Sequence, residues 1–100
     1  MLAPVEVDVL LSAASLIEIA IKNAAGKLSM PEEETSLAVQ ELRVEILAFE
    51  PAHAFAMFSL PMHHRDPFDR MILATAIAEK LPIVTGDRMF RRYSGVKILW

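Results

Sequence analysis

The segment that most constrains this chain is His63-His64-Arg65-Asp66-Pro67-Phe68-Asp69-Arg70, taken with the helix it opens and Ile83-Val84-Thr85-Gly86-Asp87-Arg88 beyond it. Pro67 suits a first helical position, because the N–H it lacks would be unpaired there anyway. Asp66 then reads as the N-cap. Asp69 falls on the first turn, where the positive end of the helix dipole favours an anion. Pro82 to Thr85 reads as a short buried strand, and Asp87 starts a one- or two-turn helix through Arg92. A strand ending in Thr-Gly-Asp points its last side chains into the crevice at the strand ends. Acids therefore stand at two helix starts, one just after an apolar strand. Two unit charges about 4 Å apart repel by roughly 4 kcal/mol at an effective dielectric near 20. A fold that gathers these acids needs a cation between them, and a divalent metal is expected.

The rest of the chain alternates strand and helix. Val7 to Leu11 reads as a strand, and Ser12 to Ser15 turns into a helix from about Leu16 to Ala25, closed by Gly26. Leu16, Ile17, Ala20, Ile21 and Ala24 share one face of it, with Glu18 and Lys22 on the other. A second helix is expected from about Glu33 to Leu42, a strand from Val44 to Phe49, and a short helix from Pro51 to Phe58. The strong helix from Pro67 runs to about Lys80, and Val96 to Trp100 forms a terminal strand. This order implies a parallel sheet covered by helices, an α/β layer fold. A chain of 100 residues with 54% hydrophobic content suits a single domain with a real core. The absence of cysteine excludes disulfides and thiolate metal sites. A net charge of −3 gives no general attraction to nucleic acid, so any such contact must be local. The start carries acids and no basic leader, and no apolar run is long enough to span a bilayer. A soluble, intracellular protein is expected.

Each acid also has an ordinary local role. Ser15 and Glu18 have the spacing of a capping box, and Glu18 and Lys22 form an i,i+4 pair; equally, Glu18 lies just past a strand's C-terminal end, where α/β folds place ligands. Asp66 and Asp87 can simply cap their helices. Loop packing is the expected role of His63 and His64, because adjacent histidines point different ways and His53 is the only other imidazole available for zinc. Arg88, Arg91, Arg92 and Lys97 form either a solvated face or the one place to meet a phosphate backbone. The Met and Phe residues at 55, 57, 58, 68, 71, 89 and 90 are expected in the core or on a partner-facing surface.

In these residues the chain resembles the PIN-domain ribonucleases, specifically the VapC-type toxins of prokaryotic toxin–antitoxin pairs. The resemblance rests on Leu11 to Lys22, Gly26-Lys27-Leu28, Leu60 to Arg70, Pro82 to Asp87 and the Val96–Trp100 ending, in order along nearly the whole chain. It implies a PIN-like three-layer α/β/α fold and an acidic pocket that binds Mg²⁺ or Mn²⁺ and hydrolyses RNA. By position, Glu18, Asp69 and Asp87 match the family's second, third and fourth acids, as catalytic and metal-holding residues. Asp66, Arg70 and Thr85 would support them, with Arg88, Arg91 and Arg92 meeting RNA. The implied partners are an RNA substrate, a cognate VapB-like antitoxin, and further copies in a homodimer or higher oligomer, in the cytoplasm and away from membranes. The family pattern normally opens with a strand ending in an Asp, followed by a helix; neither is found here. The expectation is therefore one N-terminally shortened PIN domain over residues 1–100, impaired by loss of the first acidic strand. The alternative is a non-catalytic PIN-like protein that binds an antitoxin or self-associates.

Overall fold

Ser12 is where the first strand becomes a helix. The computed structural model describes residues 10–99, which fall into two compact units divided between Leu47 and Ala48. In the first unit β1 covers Leu10–Ser12 and α1 covers Ala13–Ala24. The Ser12 Oγ accepts from the Ala14 N–H at 3.1 Å, so the helix starts three residues earlier than its apolar periodicity indicates. Two alanines directly after a competent cap propagate a helix at little cost. Glu18 thereby moves into the second turn. The cap is Ser12 in place of the expected capping box with Ser15, whereas the Glu18–Lys22 pair forms at 3.4 Å. Residues 7–9 of the expected first strand lie outside the described residues.

α1 ends in a Schellman motif. The Gly26 N–H bonds Asn23 O at 3.1 Å and the Lys27 N–H bonds Lys22 O at 2.9 Å, which requires the positive φ of 73° at Gly26. α2 covers Glu32–Glu41, with Glu32, Glu33 and Glu34 at the positive end of its dipole. It closes the same way, but with Arg43 at φ 53° where α1 has glycine. β2, Glu45–Leu47, runs parallel to β1 with Leu11 opposite Ile46. Parallel partners need a crossover, and α1 and α2 provide it. Leu16, Ile19, Ala20, Met30, Val39 and Ile46 line an apolar groove in this unit.

The second unit holds α3 (Pro51–Ala56), a 3₁₀ turn (Met57–Ser59), α4 (Pro67–Glu79), β3 (Ile83–Val84), a 3₁₀ helix (Arg88–Arg92) and β4 (Ile98–Leu99). β3 and β4 pair in parallel, Ile83 opposite Ile98. The core is Leu73 and Ala76 of α4, Ile83, Phe90 and Tyr93, with Leu60, Ile72, Val96 and Ile98 packed around it. His53 is 1% exposed. Its Nδ1 accepts from the Glu50 N–H at 2.9 Å, so Nε2 donates to Glu79 Oε1 at 2.7 Å, tying α3 to α4. His53 is therefore occupied in packing and is not the extra imidazole a zinc site would need. Of the aromatic residues expected in a core or on a partner face, Phe90 is buried. Phe55 and Phe58 stand 71% and 87% exposed, their rings 6.3 Å apart.

Candidate metal centre

The centre lies in the second unit and is built by two caps and a loop. Asp66 caps α4 as expected: its Oδ1 accepts from the Phe68 and Asp69 N–H groups at 2.9 and 3.1 Å. That fixes Asp69 at the third helical position, with its carboxylate on the first turn. Asp87 caps the 3₁₀ helix, its Oδ1 accepting from the Met89 N–H at 2.9 Å. Its own N–H donates to Thr85 Oγ1 at 3.1 Å, and the Thr85 N–H bonds Leu99 O at 3.2 Å, so the turn is pinned to β4. The Met89 N–H, and after it the His64 ring, hold the Asp87 carboxyl below the usual carboxylate range.

Between the two acids stands His64. Its Nε2 lies 3.0 Å from Asp69 Oδ2 and 3.0 Å from Asp87 Oδ2. Its Nδ1 accepts from the Asp66 N–H at 3.2 Å, and its ring meets Phe90 edge-on at 5.3 Å. The loop carrying it is held from two sides. The His64 N–H donates to Tyr93 Oη at 2.7 Å, and that hydroxyl donates to Pro61 O at 2.8 Å. The Arg70 guanidinium donates to Pro61 O (2.9 Å), His64 O (3.2 Å) and Leu60 O (3.3 Å). Arg70 thereby supports the site by fixing the backbone of the loop that carries His64. His63 turns the other way, its ring edge-on to Tyr93 at 5.2 Å.

One atom each from His64, Asp69 and Asp87 lie within 4.8 Å of one another, the spacing of a cation site. Two carboxylate oxygens, one on the first turn of α4 and one on the cap of the 3₁₀ helix, suit a hard divalent ion such as Mg²⁺ or Mn²⁺, which completes its shell with water and substrate oxygens. The structure brings Asp69 and Asp87 together and sets His64, expected to pack a loop, between them, while Tyr93 holds that loop with no signal in the sequence. The only signal for His64 is that it adjoins the acid motif. Glu18 lies on α1 of the first unit, half-buried and paired with Lys22. Arg88, Arg91 and Arg92 are exposed on the 3₁₀ helix that Asp87 caps.

The family model described as "PIN domain" matches residues 3–96. This chain belongs to the PIN domain family. Among solved structures, this PIN domain is similar to DNA-bound VapBC from Salmonella typhimurium, with 24% identity and a TM-score of 0.70 over 90% of this chain and 73% of that one. It is equally similar to VapBC2 from Rickettsia felis bound to a promoter DNA fragment, with 23% identity and a TM-score of 0.70 over 92% and 74%. At that identity the likeness concerns the fold, which is the expected PIN-like arrangement of helices and parallel strands. No curated protein matches. Among the described residues, no helix of this PIN domain is long and apolar enough to cross a membrane.

Proposed function

We propose that this PIN domain is a VapC-type toxin, a cytoplasmic endoribonuclease that works with Mg²⁺ or Mn²⁺ and is neutralised by a VapB-like antitoxin. The observation that carries this reading is the convergence of Asp69 and Asp87, from two separate helix starts, on the His64 Nε2, 3.0 Å from each Oδ2. Asp69 and Asp87 would hold the ion. When bound, the cation supplies charge stabilisation at the scissile phosphate and lowers the pKa of water for attack on it. Asp66 and Thr85 fix the two acids in place, and Arg70 fixes the loop between them. The family resemblance implies a carboxylate role for Glu18 in the same chemistry. The exposed Arg88, Arg91 and Arg92 are suited to the phosphates of an RNA strand, a local positive feature on a chain of net charge −3. The apolar groove of the first unit suits an apolar antitoxin segment.

The test is cleavage of single-stranded RNA by the purified chain with Mg²⁺ or Mn²⁺. Cleavage should stop with EDTA and fall by about 10²-fold or more in Asp69→Asn, the usual scale for losing one electrostatic stabiliser. Glu18→Gln should impair cleavage as well. Absence of cleavage by the wild type, or cleavage indifferent to EDTA and to Asp69→Asn, overturns the reading.

A further inference from the structure

We propose that His64 is an internal counter-group of the acid pair: without metal, its Nε2–H takes the carboxylate lone pairs that a divalent cation needs, and loading the ion displaces it. The identity of the ion rests on the nuclease reading above; the competition is a property of this chain's own residues. The position of the ring proton decides the matter. A backbone N–H can only donate, so the Nδ1 that faces the Asp66 N–H at 3.2 Å is the bare nitrogen. The neutral imidazole then carries its proton on Nε2, which faces Asp69 Oδ2 and Asp87 Oδ2, each at 3.0 Å. One N–H thus bridges two carboxylates that would otherwise repel.

The opposite role, His64 as a metal ligand, fails on the same atom. A histidine ligating through Nε2 carries its proton on Nδ1 and normally donates it to a carbonyl or carboxylate. Here Nδ1 faces a donor, so ligation in this pose would set N–H against N–H. The metal-free pose is held at several points. The Asp66 N–H belongs to the residue that caps α4, while Tyr93 and Arg70 hold the His64 backbone and Phe90 lies against the ring. With only 13% of the side chain exposed, the imidazole stays on the acids until a stronger partner for them arrives.

The test is Mn²⁺ affinity, by calorimetry and by paramagnetic resonance of free Mn²⁺, for the full chain and for His64→Ala. Removing the competitor should tighten Mn²⁺ binding about tenfold, the order of one hydrogen bond to a charged group. Unchanged or weaker binding by a folded His64→Ala overturns the proposal, weaker binding being what a lost ligand would give. A second measurement needs no variant. Long-range ¹H–¹⁵N spectra of the wild type should show His64 protonated on Nε2 without metal and averaged between tautomers once Mg²⁺ saturates the site. A His64 pattern that Mg²⁺ leaves unchanged also overturns it. The two readings separate cleanly. Mn²⁺ bound with no effect of His64 overturns this proposal alone, whereas no Mn²⁺ bound by either protein overturns the nuclease reading with it.

Discussion

Asp66 does two things with two different groups: its carboxylate starts α4, and its N–H decides which nitrogen of His64 carries the proton. Asp66→Ala should cost about 1 kcal/mol in a denaturation experiment, the usual loss for a cap, and Asp66→Asn should restore most of it. Asp87 gives the site a pH dependence of definite sign. Its carboxyl lies below the usual range because the Met89 N–H and then His64 favour the charged form. A depressed folded pKa gives a stabilising contribution that is complete above the unfolded value, about 3.9, and is lost as pH falls through the lower folded value. Thermal melts from neutral pH to about pH 3 should therefore fall more steeply for wild type than for Asp87→Asn, which keeps the cap but has no proton to take up. The capping roles of Asp66 and Asp87 could be read from the sequence, because a cap is a matter of neighbours within three residues. The place of His64 could not, since its partner Asp87 is 23 residues away.

At the scale of elements, helix ends carried the local signals that proved most informative and also the one that misled. Pro67 behind Asp66 set the start of α4 correctly, and Gly26 closed α1 as expected. The start of α1 is ambiguous in the sequence because Ser12 and Ser15 are both competent caps, and the end of β1 beside β2 selects Ser12. Two helices end on a non-glycine residue in left-handed conformation, Arg43 at φ 53° and Lys80 at φ 56°. An L side chain there costs of the order of 1 kcal/mol, which glycine avoids. Lys80→Gly should raise stability by about 0.5–1 kcal/mol, seen as a Tm higher by a few degrees. A lower Tm would mean that the Lys80 side chain contributes more than its backbone strain costs.

For the whole molecule, stability and association come from different places. Leu73, fully buried at the centre of the second unit, should cost about 2–5 kcal/mol when changed to Ala. The same variant should loosen the acid centre, because Leu73 and Asp69 share α4. The first unit leaves Ile17, Ile21, Leu37 and Leu42 exposed, and apolar surface of that kind promotes association. Light scattering should report a mass above the 11.1 kDa monomer, and Ile21→Glu with Leu42→Glu should lower it. The α/β class, the order of elements, the two capping acids and the family motif are legible in the chain's residues, because these depend on periodicity and on neighbours a turn apart. Folding alone brings Asp87, Asp69 and His64 to one point, from the 3₁₀ helix behind β3, from α4 and from the 60–66 loop. Convergence of distant segments depends on how their side chains pack, on Tyr93 and Phe90 in this case, and no local pattern encodes that.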